Sequence, residues 1–171
     1  MSVVMGIDPS LNNTAYCILG GSEPVIGKIG VGKRRGVERL LHIEQEITKL
    51  LACHQPLLVV IEGYSYASAH QAHQAGELGG VLRRLFHVDR TSWIDVAPPT
   101  LKKFVTGKGN ADKNLVMLNV YKRWGVETGS DDEADAYGLA KAGQYLLKGG
   151  CGGLTKAQQD ALETIRGSYE R

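Results

Sequence analysis

Four carboxylates in this 171-residue chain stand at positions where they could act together. Asp8 ends an apolar, β-branched run at the start of the chain, and Glu62 ends a second apolar run, L-L-V-V-I. Asp132 and Asp135 lie in D-D-E-A-D-A near a predicted helix start, where i, i+3 spacing puts them on one face. If the two runs are neighbouring parallel strands, Asp8 and Glu62 emerge at the same sheet edge, where ligands gather.

Carboxylates that converge in this way form a hard oxygen cage suited to two Mg²⁺ or Mn²⁺ ions. Two ions about 3.5–4 Å apart can activate a water and stabilise the leaving oxygen of an in-line phosphodiester displacement. Without cations the acids repel one another and some of their pKa values rise, and bound cations reverse that effect. The four acids therefore predict metal-dependent phosphodiester hydrolysis.

Each acid also has a purely structural interpretation. Asp8 could be a turn residue, and the acids at 131–133 could cap a helix and complement its dipole. Neither interpretation explains Asp135 further inside the helix, or Glu62 after five apolar residues, since a buried acid needs a partner. Asp131 and Asp135 are also spaced i, i+4, so spacing alone leaves open which aspartate accompanies Asp135.

The formal charge of +2 comes from 20 Lys and Arg against 18 Asp and Glu, and it hides local contrasts. Five bases and one acid between Lys28 and Arg39 give +4, and six bases and one acid between Thr100 and Trp124 give +5. Between Gly125 and Asp135 five acids and no base give −5. This pattern predicts phosphate-binding rims around an anionic metal site, although such runs can also be merely solvated faces. The basic candidates for DNA contact are Lys33, Arg34, Arg35, Lys103 and Lys108.

Tyr64 and Tyr66 follow Glu62 directly, in a polar stretch. Aromatic side chains beside a nuclease site can stack on unpaired bases, each stack being worth about 1–3 kcal/mol. Either ring could instead fold back onto the core. We predict that at least one of them contacts DNA.

Hydrophobic patterning predicts the elements that must position these groups. Three closely spaced strands come first, followed by helix, strand, helix, strand and three helices. This order predicts an α/β fold with a five-stranded mixed sheet, in which three antiparallel strands precede parallel crossovers and helices cover both faces. That is the ribonuclease-H-like topology. We predict a nuclease domain over residues 1–148 and a Gly-rich break with a C-terminal tail over 149–171, ending in a small, loosely attached helix.

The remaining composition is consistent with a cytoplasmic protein of a bacterium or a phage-infected cell. Three scattered cysteines fit a reducing compartment, and the N-terminus does not resemble a signal peptide. No apolar stretch of 18 or more residues occurs, so no membrane span is expected.

Taken together, the motifs resemble the RuvC-type Holliday junction resolvases, in a divergent, phage-like form. The matching pieces are G-I-D-P-S (Gly6 to Ser10), I-E (Ile61 and Glu62), Q-A-G-E-L-G-G-V (Gln74 to Val81), V-A-P-P-T-L-K-K (Val96 to Lys103), V-T-G-K-G-N-A-D-K (Val105 to Lys113) and D-E-A-D-A (Asp132 to Ala136). They span about residues 3 to 147 in the family's order, and the segment after Gly149 is not covered. Ser10 stands where the family usually has Gly, and Ser65 where it usually has an aromatic wedge.

The resemblance implies that Asp8, Glu62, Asp132 and Asp135 bind two Mg²⁺ or Mn²⁺ ions, which resolves the register in favour of Asp132. It implies that Lys102 and Lys113 are catalytically important basic residues near the cleaved strand, and that they act by electrostatic stabilisation. Family members are symmetric homodimers, and we expect the dimer contact on the glycine-bearing helix around residues 76–85.

The predicted function is therefore a structure-selective endodeoxyribonuclease that resolves four-way or other branched DNA. It would make symmetric nicks with 5′-phosphate and 3′-hydroxyl ends. Two alternatives stay open: a ribonuclease-H-like enzyme acting on RNA or an RNA–DNA hybrid, and a module that binds junctions without cutting them.

Overall fold

The structure is a computed structural model that describes residues 2–63 and 69–169. Within these residues the chain forms five strands and six helices. The strands are β1 (Val4–Asp8), β2 (Asn13–Leu19), β3 (Val25–Gly30), β4 (Leu58–Glu62) and β5 (Trp93–Val96). The helices are α1 (Gly36–His54), α2 (Ala69–Asp89), α3 (Pro98–Thr106), α4 (Lys113–Trp124), α5 (Asp131–Lys148) and α6 (Lys156–Tyr169).

The strands form one mixed sheet in the order β3-β2-β1-β4-β5. β1 pairs antiparallel with β2 and β2 with β3, whereas β1–β4 and β4–β5 are parallel pairs. β1 and β4 are buried along nearly their whole length, as expected for central strands that are covered on both faces. The predicted α/β fold, with three antiparallel strands followed by parallel crossovers, is confirmed.

Two hydrophobic cores lie on opposite faces of the sheet. One packs α1 and α2 against the sheet and contains large side chains such as Ile43, Ile47, Leu82 and Phe86. The other lies under α3, α4, α5 and α6, with α5 crossing the central strands β1, β2 and β4. We call these the α1/α2 face and the α5 face.

On the α5 face the helix approaches the sheet too closely for a side chain at Gly6. A Cβ at that position would lie 2.1 Å from the Ala136 carbonyl oxygen and 2.5 Å from the Ala140 nitrogen, both in α5. Gly143 of the same helix is equally confined, because its Cβ would lie 2.6 Å from a methyl of Val4. Glycine and alanine at the contact therefore set the distance between α5 and β1.

The C-terminal helix α6 differs from its expected loose attachment. Its residues Ala161, Leu162 and Ile165 are buried, and Gln158 Nε2 donates a hydrogen bond to the Val105 carbonyl oxygen at 3.2 Å. α6 packs on α3 and along the edge strand β5, which shields that edge. The prediction of loose attachment is therefore wrong, because the helix has an apolar face that the sheet edge buries. The division of the chain at Gly149 stays a prediction.

Among the helices of the described residues, none combines the length and apolar character that crossing a bilayer requires.

Candidate active site

The register of the sheet brings the first two acids together. Ile7 of β1 lies beside Ile61 of β4 in a parallel pair, so the next residues, Asp8 and Glu62, are neighbours at the same edge. Asp8 is only 9 % exposed, and its carboxyl group shares a hydrogen bond with that of Glu62. The interpretation of Asp8 as a simple turn residue is not supported, because its side chain is turned into this buried pair.

The start of α5 supplies the other acids, and its capping determines where they lie. Ser130 is the N-cap, and its Oγ accepts a hydrogen bond from the Glu133 nitrogen at 3.3 Å. Glu133 Oε2 in turn accepts from the Gly129 nitrogen at 2.7 Å. This reciprocal arrangement resembles a capping box and holds the first turn in a defined orientation. Asp132 then lies in the first turn and Asp135 one turn further along the same face.

Burial and mutual repulsion raise the pKa values of Asp8 and Glu62 above those of ordinary carboxylic acids. Burial raises the pKa of Asp8 to about 9, and the charge of Glu62 acts in the same direction. Burial also raises the pKa of Glu62 to about 7. A hydrogen bond between them lowers the repulsion of the pair, because two carboxyl groups so close together do not both ionise readily.

Asp135 completes the acidic cluster from the helix side. Burial and, after it, the charge of Asp8 raise its pKa to about 7. Its Oδ1 atom is buried and, within the described part of the chain, has no hydrogen-bond partner. Leaving such an acceptor unsatisfied costs about 1–3 kcal/mol, so the position favours a ligand that binds oxygen.

Lysines surround the acids, although they do not all occupy the same place. The charge of Lys102, in α3, lowers the pKa of both Glu62 and Asp135. Lys113 forms an ion pair with Asp131, which raises the pKa of the lysine and lowers that of the aspartate. Asp131 thus pairs with a lysine, and its charge also raises the pKa of Asp8 and of Asp135, while the charges of Asp132 and Asp135 raise that of Glu62.

The sequence patterns did not single out Lys28 as a site residue, although it belongs to the first basic run. Its Nζ lies 3.5 Å from Asp132 Oδ2, and both side chains are about one-third exposed. Ser130 and Gly6 were also not singled out for their roles. The spacing S-x-x-E before a helix and the glycine inside a buried strand were the signals that could have indicated them.

The predicted DNA-contact residues lie on two sides of this edge. Lys33, Arg34 and Arg35 are exposed in the segment between β3 and α1, and Lys108 is exposed after α3. Lys103 is half-buried in α3. Tyr64 and Tyr66 lie outside the described residues.

A divalent cation fits the donor chemistry of this cluster, although not its present arrangement. Carboxylate oxygens are the donors that Mg²⁺ and Mn²⁺ prefer, and Asp135 Oδ1 is an unsatisfied one. In residues 2–63 and 69–169, however, no three histidine, cysteine, aspartate or glutamate side chains are grouped so that they could hold an ion as they stand. Asp8 and Glu62 are engaged with each other, and Asp131 and Asp132 with lysines, so a cation would compete with those contacts.

The chain is similar to proteins of one family over most of its length. A family model described as "Crossover junction endodeoxyribonuclease RuvC" matches residues 4–142. The RuvC of Gloeobacter violaceus is 27 % identical over 151 residues, which cover 83 % of this chain and 87 % of the relative. That of Carboxydothermus hydrogenoformans is 30 % identical over 158 residues, covering 86 % and 98 %.

Solved structures show the same fold. Thermus thermophilus RuvC in complex with a Holliday junction substrate superposes with a TM-score of 0.71 at 22 % identity, covering 87 % of this chain and 97 % of that one. Fowlpox virus resolvase, in complex with substrate Holliday junction DNA, superposes with a TM-score of 0.56 at 17 % identity, covering 85 % and 98 %.

Proposed function

Because this chain belongs to the RuvC family of crossover junction endodeoxyribonucleases, we propose that its acidic cluster cuts DNA strands at Holliday junctions. The expected family resemblance is confirmed, and with it the assignment of the chain as a junction-resolving nuclease. The observation that carries the proposal is the convergence of Asp8, Glu62 and Asp135 at one sheet edge, in a fold shared with RuvC.

Nucleases of this family depend on metal. We assign the ligands to Asp8, Glu62, Asp132 and Asp135, and the cations to two Mg²⁺ or Mn²⁺ ions. When bound, two such ions supply an activated water and a counter-charge for the leaving oxygen. The carboxylates would hold the cations, whose positive charge would favour the ionised forms of Asp8 and Glu62 over the protonated ones.

We assign Lys102 to act on the reacting phosphate. Its charge acts on both Glu62 and Asp135, so it would also act on a phosphate bound beside these acids. An ammonium group aimed at the negative charge that develops in the transition state lowers the barrier, because it is already in position and requires no rearrangement. Lys113 has the same role in our proposal. Its ammonium group would leave Asp131 and pair with the phosphate.

The basic segments on either side of the acids are proposed to bind the DNA arms. Lys33, Arg34 and Arg35 would contact phosphates on one side, and Lys103 and Lys108 on the other. Tyr64 and Tyr66 follow Glu62 in the chain, and we propose that they stack on bases unpaired at the crossover.

We further propose that two copies of the chain nick opposed strands symmetrically, leaving 5′-phosphate and 3′-hydroxyl ends. The proposed contact between the copies is α2. A Cβ at Gly76 or Gly80 would meet no atom of the described residues within 4 Å, so this stretch of the helix offers room for a close helix partner.

The test is cleavage of a fixed four-way junction beside a linear duplex, a flap and an RNA–DNA hybrid, with Mg²⁺ or Mn²⁺ and with EDTA. We expect metal-dependent nicking of the junction, and a loss of at least about 100-fold for Asp8→Asn and Asp135→Asn. Asp89→Asn, an exposed aspartate at the opposite end of the sheet, is the matched control and should cut like the parent.

Junction cleavage that survives Asp8→Asn would overturn the assignment of the site. Stronger cleavage of the hybrid than of the junction would favour the ribonuclease-H-like alternative. Junction binding without metal-dependent nicking would favour a non-cleaving module.

A further inference from the structure

Lys28 stands in the same cross-strand row as the buried acids. In β1 and β2, Asp8 lies opposite Ala15, and in β2 and β3, Ala15 lies opposite Lys28. Residues directly opposite one another across a sheet point to the same face, so Lys28 points to the α5 face as Asp8 does. The lysine is therefore part of the edge that carries the candidate active site.

Ala15 makes the reach of Lys28 across the sheet possible. Neighbouring strands are about 4.8 Å apart, so the backbones of Lys28 and Asp8 are separated by about 10 Å. Ala15, fully buried between them, carries only a methyl group. A larger side chain at this position would stand between the lysine and the acids.

The Lys28 side chain contacts α5. Its Nζ lies 3.5 Å from Asp132 Oδ2, a pair 104 residues apart in the chain. β3 is an edge strand, where a lysine often only discourages pairing with another chain. The Lys28 side chain is just 29 % exposed, however, and it is directed at an acid of the site rather than at solvent.

The pairing leaves Asp132 occupied at the rim of the cluster. Asp8 and Glu62 share a hydrogen bond, Asp131 pairs with Lys113, and Asp132 pairs with Lys28. A cation and an ammonium group compete for the same carboxylate oxygens, because both need their negative charge. Binding of a cation by Asp132 is therefore weaker while the Lys28 ammonium group stands beside Oδ2.

We propose that Lys28 is a positioning residue that holds Asp132 at the rim of the site and yields it when a divalent cation binds. This inference rests on the proposed function, since it concerns the same metal site. In the cation-free protein the Lys28 ammonium group supplies a positive charge beside the acidic cluster. Its removal should then strengthen cation binding, because a competitor for Asp132 is lost.

The experiment measures the Kd of Mn²⁺ and of Mg²⁺ for the full chain without DNA, by calorimetric titration and by the cation-dependent rise in Tm. Lys28→Met keeps the length of the side chain and removes its charge, and we expect a Kd about two- to fivefold lower than that of the parent. Lys28→Arg restores the charge and should restore the parent Kd. Lys49→Met removes another lysine that pairs with an acid, Glu46, and is the matched control with an unchanged Kd.

A double-mutant cycle separates a role through Asp132 from a general effect of charge. In an Asp132→Asn background, Lys28→Met should change the Kd by less than half the factor seen in the parent. The cation concentration for half-maximal junction cleavage should fall with the Kd in Lys28→Met.

A Kd in Lys28→Met that equals or exceeds that of the parent would overturn the proposal while leaving the metal site intact. If the parent itself bound no cation, both this proposal and the proposed function would fail. Tm values of the cation-free variants establish that each is folded.

Discussion

The two faces of the sheet are built on different principles. On the α1/α2 face, bulky residues such as Ile47 and Phe86 fill the space between helices and sheet. On the α5 face, Gly6 and Gly143 let the helix and the strands approach almost backbone to backbone. Both faces bury apolar side chains, and the close approach on the α5 face also brings acids from a helix and two strands within interaction distance. The geometry of the site therefore depends on small residues as well as on apolar packing.

The same contrast holds for charge. On the α1/α2 side, Glu44 pairs with Arg84 and Asp95 with Arg83, each acid beside a base. At the edge of the α5 face, Asp8, Glu62 and Asp135 are buried beside one another, and the pKa of each is raised. Packing like charges together lowers the stability of the cation-free protein, as expected where carboxylates are arranged to bind a cation.

The largest expected effect comes from adding one methyl group to the α5 face. Gly6→Ala would place a Cβ 2.1 Å from the Ala136 carbonyl oxygen, so α5 must move away from β1. We expect junction cleavage to fall about 100-fold or more, since a displacement of about 1 Å at a catalytic site has that effect. Steady-state cleavage per folded molecule is the measurement.

Gly167→Ala is the matched control, because a Cβ there meets no atom of the described residues within 4 Å. As a helical glycine it should gain about 0.5–1 kcal/mol of stability and keep the parent's cleavage rate. Equal activity of the two alanine variants would show that the close contact at Gly6 does not position the acids.

The next effect concerns the α1/α2 face and is expected in stability alone. Ile47 is fully buried there, and Ile47→Ala should lower the free energy of unfolding by about 2–5 kcal/mol. The cleavage rate per folded molecule should stay within about twofold of the parent, because no acid of the site contacts this core. Urea unfolding and cleavage at low temperature measure the two quantities. A large fall in the rate per folded molecule would show that the two faces are not separable.

The smallest effect is a pH dependence that the acids impose on the cation-free protein. The pKa of Asp8 is raised to about 9 and that of Glu62 to about 7, so between about pH 4 and 9 the native state binds more protons than the unfolded chain. The free energy of unfolding should therefore fall as the pH rises through this window. Thermal unfolding in EDTA at pH 5, 7 and 9 measures it.

Asp8→Asn should be about 1–3 kcal/mol more stable than the parent at pH 9, or about 2–4 °C in Tm for each kcal/mol, with little difference at pH 5. Asp89→Asn, at the opposite end of the sheet, should keep the parent's slope. A stability that is independent of pH in both the parent and Asp8→Asn would contradict the like-charge packing at this edge.

Much of the fold could be predicted from local patterns. Apolar runs ending in Asp8 and Glu62 predicted strand ends, and the order of strands and helices predicted the mixed sheet, because hydrophobic period and turn residues are local properties. The docking of α6 could not be predicted in this way, because its short apolar face is buried by elements that are distant in sequence, among them the edge strand β5 that it covers.

The sequence by itself determined which residue types could form the site: acids at strand ends and in the first turns of a helix, with basic runs on either side. Only the tertiary structure decided how they are paired. The choice of Asp131 for Lys113 depends on the packing of α4 against α5. The choice of Asp132 for Lys28 depends on the register of β3 and on the closeness of α5 at Gly6. Such pairings join residues up to 104 positions apart, and their distances are set by packing rather than by spacing along the chain.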